Sequence, residues 1–481
     1  MQQVTASIKE LLQQYSNNPV SRIEKIPQSG SDRIYFRIYC TDAKTFIATY
    51  SNNIKENDAF IYFSKHFKKI GAPVPEIYAV NKEHNIYIQE DFGDESLLHV
   101  LELNGQDEVS FSLFKKSLKA LAHLQINGDK NLDYTQCITS KEFGQQAILS
   151  DLLYFKYYFL DTLKIPYDKE KLIQDFDAIS NYLAHVDHKY FMFRDFQSRN
   201  VMVYHNDVHF IDYQGGMKGA LQYDVASLLW QAKANLSDEW KEQLLHYYMD
   251  CVEEQMDKPL DRTIFSNQYN GYVLIRLLQV LGAYGFRGLF ERKAHFLTSI
   301  PLALQNLKWF LNNKKIGISF PTFENLLELV VADDTIKQFE TTKAAENTQL
   351  LVKINSFSYL KNGYPKDETK NGGGFVFDCR GILNPGRIEE YKTQTGQDKP
   401  VKDFLEQQTL MPKFLNSIYD IVDIAVEDYI KRGFESLEIN FGCTGGQHRS
   451  VYAAEAVTRH LRNKFAVKTV LTHLNNENWV K

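Results

Sequence analysis

The sequence of 481 residues is poor in cysteine, has no long apolar run and carries little net charge. Its five cysteines are scattered and form no C-x-x-C pair, which argues against a disulfide framework or a zinc site and favours a reducing cytoplasm. No stretch approaches about eighteen uninterrupted apolar residues, so we expect no membrane span. The formal net charge of -5 gives the chain no general attraction to nucleic acid.

The composition that is present is that of an ordinary folded protein. Hydrophobic residues make up 44% and charged residues 24%, which argues against long disorder. A chain of this length exceeds what one hydrophobic core usually organises. A polar, charge-rich stretch between residues 322 and 349 has few large apolar side chains. We therefore predict a first domain at residues 1–315, a linker or an exposed connecting helix at 316–348 and a second domain at 349–481.

The first domain begins with a small mixed α and β region. Two β-rich runs, I-Y-F-R-I-Y-C and T-F-I-A-T-Y, flank a T-D-A-K turn and predict a hairpin. A helix is predicted over residues 57–70, followed by a strand in N-I-Y-I-Q-E-D-F. Beyond residue 96 the pattern is mainly helical, apart from two short β-like runs around a loop. The order of elements predicts an α+β domain.

The strongest signal of this domain is the segment F-R-D-F-Q-S-R-N, which holds Asp195 and Asn200 and is followed twelve positions later by Asp212. Phosphoryl transfer needs a carboxylate to orient the attacking hydroxyl, and carboxylate and amide oxygens to hold magnesium against the phosphates. A D-x-x-x-x-N loop between strands and a downstream strand-end aspartate supply all three groups. The pattern alone also occurs by chance in loops without any such function.

Together these segments resemble the aminoglycoside phosphotransferase family and related sugar and choline kinases, over roughly residues 20–310. The resemblance implies a bilobal, protein-kinase-like α+β fold that uses ATP and Mg²⁺, with Asp195 as catalytic base and Asn200 and Asp212 as Mg²⁺ ligands. It also implies a structural role for Asp224 in Y-D-V-A-S-L-L. The nucleotide-binding residues that it implies are Ser29, Gly30, Ser31 and Asp32 in a loop over the phosphates, and Gln89, Glu90 and Phe92 in a hinge that contacts adenine.

The sequence departs from this family at two positions. Phe193 stands where the family usually has histidine, and Thr49 stands where a kinase strand offers the lysine that pairs with the ATP phosphates. A similar feature occurs in a subgroup that resembles the anomeric kinases of N-acetylmuramate and N-acetylglucosamine, which makes an amino sugar the first predicted substrate. The missing lysine leaves a nucleotide-binding pseudokinase as an alternative. An antibiotic-modifying kinase is a third.

The second domain is predicted to be α/β, with the segment N-F-G-C-T-G-G-Q-H-R-S between a strand and an alanine-rich helix. A strand, a glycine-rich turn and a helix start direct several backbone N–H groups and a positive dipole end toward one point, which suits a phosphate. Arg449 adds a bidentate partner for the same oxygens. The segment therefore predicts a phosphate-binding loop, against the simpler reading of a glycine-rich loop without a ligand.

Two families share features of this loop. The spacing C-x(5)-R-S coincides with the signature of cysteine-dependent phosphatases, in which the thiol is a nucleophile. The fuller likeness, through F-V-F-D-C-R, L-N-P, T-G-Q-D-K-P-V and G-C-T-G-G-Q-H-R-S-V, resembles the carboxy-terminal domain of the RNase adapter protein RapZ. That resemblance implies binding of glucosamine-6-phosphate and, in that family, of a small RNA. The sugar-phosphate-binding residues assigned on this basis are Cys443, Thr444, Gly445, Gly446, His448, Arg449, Ser450 and Asn362.

This second resemblance also has limits. No G-x-x-x-x-G-K-[ST] nucleotide loop precedes the domain, and the ending T-H-L-N-N-E-N-W-V-K is not basic, which disfavours RNA as a partner. We predict an ATP-dependent small-molecule kinase, acting on an N-acetylated amino sugar, with an appended sugar-phosphate-binding regulatory domain and a role in cell-wall recycling. The alternative is a non-catalytic, nucleotide-binding regulator that acts through RNA or protein binding by the second domain.

Overall fold

The computed structural model of the protein describes residues 2–16, 19–26, 33–291, 294–340, 342–367 and 373–480. The chain divides into two compact units. The first consists of the chain up to Phe290 together with Ser299–Lys337, and the second of Glu291–Thr298 together with the chain from Gln338 onward.

The first unit opens with helix α1 (Gln2–Tyr15) and an antiparallel sheet. The elements are β1 (Val20–Lys25), β2 (Ile34–Cys40), β3 (Thr45–Tyr50), helix α2 (Ile54–Lys69), β4 (Ile77–Val80) and β5 (Ile86–Glu90). The strand order in the sheet is β1-β2-β3-β5-β4. The structure confirms the hairpin of β2 and β3. Helix α2 begins three residues earlier than the sequence predicts, because the Asn53 side chain caps it by accepting the Glu56 N–H.

The rest of the first unit is mainly helical, as predicted. Its elements, in chain order, are α3 (Leu97–Asn104), α4 (Glu108–Gly128), α5 (Gln145–Tyr158), α6 (Lys169–Ala184), β6 (Lys189–Met192), β7 (Val201–Tyr204), β8 (Asp207–Phe210), β9 (Met217–Ala220), α7 (Leu221–Leu229), α8 (Asp238–Met256), α9 (Arg262–Tyr284), α10 (Ala294–Leu297, in the segment that belongs to the second unit), α11 (Ile300–Asn313), α12 (Pro321–Val330) and α13 (Asp333–Phe339). Strands β6 and β9 pair, and so do β7 and β8, both antiparallel.

Two helices occupy much of the segment 316–348, for which the sequence predicts a linker or an exposed connecting helix. Helix α12 buries an apolar stripe at i, i+3, i+4 and i+7, consisting of Phe323, Leu326, Leu327 and Val330. The Phe323 ring lies 4.9 Å from that of Phe176 on α6. Residues 316–337 therefore belong to the compact first unit, because the stripe packs on α6 in spite of the charged residues around it.

One helical stretch of the described chain, Arg262–Phe290, is long and apolar enough by composition to cross a membrane. In its most apolar window 56% of the residues are buried inside the protein.

The second unit contains a parallel sheet with helices, the α/β class predicted for it. Its elements are β10 (Leu351–Ser358), β11 (Gly374–Asp378), α14 (Lys399–Gln408), α15 (Met411–Arg432), β12 (Ser436–Cys443), α16 (Arg449–Phe465) and β13 (Lys468–His473). The strand order is β11-β12-β10-β13, with every pair parallel. The carboxyl ends of all these strands therefore meet at one edge, where open α/β sheets bind their ligands.

Candidate functional site

Three residues of the kinase motif lie together in the first unit. Asp195 and Asn200 follow β6, and Asp212 follows β8. The Asn200 Nδ2 donates to the main-chain oxygen of Asp195 at 2.9 Å and lies 3.4 Å from Oδ2 of Asp212. The side chain of Asp195 is 48% exposed. A solvent-facing carboxylate thus stands beside an amide and a second carboxylate.

The donor set of this cluster fits Mg²⁺. Because the Asn200 amide nitrogen is bonded to Asp195, its oxygen Oδ1 is the remaining polar atom, and it accepts no hydrogen bond from the residues that the structure describes. Mg²⁺ binds through one or two protein oxygens together with phosphate oxygens and water. Within the described ranges, no group of three or more His, Cys, Asp or Glu side chains is arranged to hold a metal ion. Asn200 and Asp212 are the residues whose side-chain oxygens would hold the ion.

A buried carboxylate anchors the loop that carries Asp195. Asp224 on α7 is 0% exposed and accepts the N–H groups of Phe193 and Arg194 at 2.7 and 2.9 Å, and Nε2 of Gln125 at 2.9 Å. Burial raises the pKa of Asp224 to about 7, because these hydrogen bonds, which lower it, offset only part of the cost of desolvating the charge. Asp224 therefore has the structural role that the resemblance implies.

Both functional loops contain a residue with left-handed backbone. Arg194 has φ of 81° and Asp212 has φ of 70°, a conformation that costs a non-glycine residue free energy and is found at functional sites. The Arg194 side chain is held by an ion pair of 2.8 Å with Asp151 and by a hydrogen bond of 2.9 Å to the Tyr223 hydroxyl. These contacts stabilise the strained turn that presents Asp195.

Arg276 contacts Asp195 directly, although no motif in the sequence points to it. Its Nη2 lies 3.3 Å from Oδ1 of Asp195, and its Nη1 donates to Gln279 at 2.6 Å. Arg276 lies on α9 and is 3% exposed. Burial therefore restricts the position of its guanidinium group. The one available signal was a lone arginine in the apolar run V-L-I-R-L-L-Q-V-L, because a buried charge requires a partner.

The predicted nucleotide-binding residues are only partly described. Ser29, Gly30, Ser31 and Asp32 lie outside the described residues. In the predicted hinge, Gln89 is buried, Glu90 forms an ion pair of 3.0 Å with Lys68, and the Phe92 ring stacks on His209 at 4.1 Å. The side chains of Glu90 and Phe92 thus make their contacts with other residues of the protein.

The two departures from the family have structural explanations. Phe193 is completely buried, with its ring 5.1 Å from that of Phe196 and 5.7 Å from that of Tyr213. It therefore contributes to the packing under the loop. Thr49 is also completely buried and lies opposite Tyr35 and Tyr87 in the sheet. Position 49 therefore supplies no cation.

In the second unit, the glycine-rich loop between β12 and α16 has a fixed orientation. Ser358 Oγ donates to the carbonyl of residue 444 at 2.7 Å, Asn475 Nδ2 to that of 445 at 2.7 Å, and Trp479 Nε1 to that of 446 at 2.8 Å. Because C=O and N–H of a planar peptide point in opposite directions, the N–H groups of residues 445 and 447 are directed away from these donors, whereas the N–H of Gly446 donates to the buried sulfur of Cys443. The loop has the form of an anion cradle at the carboxyl edge of the sheet.

The predicted sugar-phosphate residues divide into exposed and buried groups. Asn362, Thr444 and Gly445 are exposed, and the Asn362 side chain donates to the Leu474 carbonyl at 3.1 Å. The buried residues are Cys443, Gly446, His448, Arg449 and Ser450. The structure thus places all eight in or next to the loop, with the exposed group available to a ligand from solvent.

The buried side chains of Arg449 and His448 form hydrogen bonds with main-chain carbonyl groups of the protein. Nη1 of Arg449 donates to the carbonyls of Arg380 and Ile382 at 3.1 and 2.8 Å. Its Nε is buried and has no hydrogen-bond partner among the described residues. His448 contacts the carbonyl of Tyr391 at 2.8 Å, and burial lowers its pKa. Arg449 therefore fixes the segment 380–382 against the start of α16.

Cys443 lies underneath the loop. Its side chain is buried, and its sulfur accepts the N–H of Gly446 at 3.2 Å and lies 3.1 Å from Oγ of Ser450. A thiol enclosed in this way has little access to a phosphate ester in solvent, which disfavours phosphatase chemistry.

The T-G-Q motif packs closely against the start of α16. A Cβ on Gly396 would lie 2.2 Å from the carbonyl oxygen of His448.

We predict different effects for alanine at the two loop glycines. Gly446 has φ of 62°, and a Cβ there would lie 2.9 Å from Cβ of Ser358, so Gly446→Ala should destabilise the loop by about 1–2 kcal/mol. A Cβ on Gly445 would meet nothing within 4 Å, so Gly445→Ala should change stability by less than about 0.5 kcal/mol. Hydrogen exchange in peptides that span β12 and α16 measures both effects. Equal exchange in the two variants would contradict the prediction.

Comparison with known families agrees with this division of the chain. The family model described as Phosphotransferase enzyme family matches residues 22–257. The family model described as RapZ C-terminal domain matches residues 350–477.

Individual relatives cover parts of the chain. A nucleotide-binding protein of Fervidobacterium nodosum is 33% identical over 186 residues, which make up 37% of this chain and 63% of the relative. A nucleotide-binding protein of Clostridium botulinum (strain Okra) is 39% identical over 116 residues, 24% of this chain and 37% of the relative. The chain thus spans less than two thirds of the length of either. A solved choline/ethanolamine kinase family protein from Mesorhizobium loti has a TM-score of 0.45 and 13% identity, over 68% of this chain and 100% of that chain.

The sequence matches and the two sites fall in the same regions of the chain. The Asp195, Asn200 and Asp212 cluster lies within the first match, and the loop at Cys443–Ser450 lies within the second. This chain therefore resembles the phosphotransferase enzyme family over residues 22–257 and the RapZ carboxy-terminal domain over residues 350–477.

Proposed function

We propose that the first domain transfers the γ-phosphoryl group of ATP to a hydroxyl group of an N-acetylated amino sugar. The observation that carries the proposal is the cluster in which the exposed carboxylate of Asp195 stands beside Asn200 and Asp212. Phosphoryl transfer requires mainly the positioning and charge stabilisation that such a cluster offers. The phosphotransferase family match supports the reaction class, and the amino sugar rests on the sequence resemblance.

In this reaction each residue of the cluster has a separate task. Asp195 accepts a hydrogen bond from the acceptor hydroxyl and orients its oxygen toward the phosphorus, and Arg276 keeps the carboxylate in that direction. Asn200 and Asp212 would hold Mg²⁺, which supplies positive charge to the phosphate oxygens. Asp224 holds the main chain of residues 193 and 194, so that the loop does not shift during the transfer.

A panel of N-acetylhexosamines with ATP and Mg²⁺ tests the proposal. Formation of ADP that depends on one sugar, together with a phosphorylated product, supports the kinase. The buried Thr49 at the lysine position favours a second candidate, a nucleotide-binding regulator without transferase activity. ATP binding without transfer to any sugar supports the regulator, and transfer to aminoglycosides alone supports an antibiotic-modifying kinase.

For the second domain we propose binding of a sugar phosphate, such as glucosamine-6-phosphate, at the loop of residues 443–450. The support is the glycine-rich loop at the carboxyl edge of the sheet, whose carbonyls at residues 444 and 445 are tied to the protein and which lies next to the exposed Thr444 and Asn362. A sugar phosphate would place its phosphate against these N–H groups and its hydroxyls near the exposed side chains. The domain would then regulate the kinase, or the use of its product, in cell-wall amino-sugar recycling.

Calorimetric titration of the full chain tests this second site. Glucosamine-6-phosphate should bind, and glucosamine without the phosphate should not. Arg449→Ala should weaken binding, because the segment 380–382 and the start of α16 lose their shared contact. The absence of heat with every sugar phosphate would exclude the site, and binding of RNA in its place would support the regulator.

A cytoplasmic location stays a prediction, which the five buried free cysteines favour.

A further inference from the structure

The ion pair of Arg33 and Glu56 lies outside the motif of Asp195 and Asn200, and a chain of polar contacts connects it to Asp212. Arg33, immediately before β2, places Nη2 2.9 Å from Oε1 of Glu56 in the first turn of α2. The Arg33 side chain is 3% exposed and that of Glu56 is 23% exposed. A cation buried to this degree is strongly destabilising without its partner. The ion pair therefore links the residue before β2 to the first turn of α2.

Gln214 extends this pair to the loop after β8. Its Nε2 lies 3.4 Å from the same Oε1 of Glu56 and donates to Oδ1 of Asp212 at 2.8 Å. Gln214 is 9% exposed, so it has little freedom to turn away. The other carboxylate oxygen of Asp212 faces Asn200. Arg33, Glu56, Gln214 and Asp212 thus form one continuous chain of polar contacts.

This chain of contacts bears on the missing strand lysine. In protein kinases a lysine on the third strand pairs with a helix glutamate, and the pair must be in place for transfer. Here position 49 is a completely buried threonine, whereas Glu56 has an arginine partner from the start of β2, the strand that pairs with β3. A cation is therefore present beside Glu56, and it comes from the residue immediately before β2 and not from β3.

We propose that Arg33 replaces the strand lysine: it pairs with Glu56 and, through Gln214, positions the carboxylate of Asp212 for Mg²⁺ and ATP. The inference rests on the proposed function of the first domain. Arg33 is a positioning residue, because its described contacts lead to the metal ligand by way of other side chains. Residues that orient a metal ligand typically change metal affinity by about 10- to 100-fold when they are replaced.

The test is the Mg²⁺ dependence of ATP binding by the full chain, measured by titration calorimetry at a series of Mg²⁺ concentrations. Arg33→Met should raise the Mg²⁺ concentration for half-maximal binding by about 10-fold or more. Gln214→Leu should shift it in the same direction with the ion pair intact. Arg33→Lys should recover most of the wild-type dependence. Arg22→Met is the matched control, because Arg22 is an exposed arginine on β1 and should leave the dependence unchanged.

Removal of Arg33 alone leaves the partly buried Glu56 carboxylate without this cation, so that variant can lose stability for an unrelated reason. The double variant Arg33→Met, Glu56→Gln removes both charges and should fold, yet keep the raised Mg²⁺ requirement. Wild-type Mg²⁺ dependence in the double variant and in Gln214→Leu would overturn this inference and leave the kinase proposal standing. Failure of the wild-type protein to bind ATP at any Mg²⁺ concentration would overturn both.

Discussion

Asp195→Asn should reduce phosphoryl transfer by about 10²- to 10⁴-fold while the protein still binds ATP and Mg²⁺. The amide has the shape of the carboxylate and keeps an oxygen for Arg276, so the loop should not move. It has no negative charge and cannot accept the proton of the attacking hydroxyl. The measurement is ADP formation in a coupled assay, with the sugar that the wild-type protein phosphorylates best.

Asp207→Asn is the matched control for this prediction. Asp207 is an exposed aspartate at the start of β8, in the same hairpin region, and its Oδ1 accepts only the adjacent Val208 N–H among the described contacts. Its replacement should leave turnover within about twofold of the wild-type rate. Wild-type turnover by Asp195→Asn, with unchanged ATP binding, would show that another group orients the hydroxyl and would exclude the assigned base.

The loop motif was readable from the sequence because its parts are close in the chain. Asp195, Asn200 and Asp212 are joined by two short strands, so local geometry alone brings them together. Arg276 comes from a helix 81 residues away, and no local pattern connects it to the loop. Such a contact depends on how α9 packs, and packing is determined by the whole fold.

The same distinction applies to the fold and to the second site. Strands and helices with a clear period were predicted, whereas the segment that holds the helix at Pro321–Val330 was predicted to be a linker or an exposed helix, and the packing of its apolar stripe on α6 was missed. At the glycine-rich loop, the sequence indicated a phosphate cradle but not the tether of Arg449 to the carbonyls of Arg380 and Ile382. A guanidinium has five N–H donors. The sequence does not specify which of them form hydrogen bonds within the protein and which are left for a ligand.

Asp224→Ala should lower the free energy of unfolding of the first domain by at least about 3 kcal/mol. Three buried donors lose their acceptor, namely the N–H groups of Phe193 and Arg194 and the amide of Gln125, and each costs about 1–3 kcal/mol. Urea unfolding measures the total. Hydrogen exchange at residues 193 and 194 shows whether the loss is local to the loop. Unchanged exchange at these two amides would contradict the anchoring role.

The pH dependence separates the charge of Asp224 from its shape. Its pKa is raised from the ordinary value to about 7 in the folded protein, so its contribution to stability is complete below about pH 4 and is lost as the pH rises through 7, by at most about 1.4 kcal/mol per pH unit. Asp224→Asn does not titrate there. Between pH 5 and pH 8 the stability of the wild-type protein should therefore fall relative to that of Asp224→Asn. A constant difference would mean that the carboxylate stays ionised throughout, with its three hydrogen bonds outweighing the cost of burial.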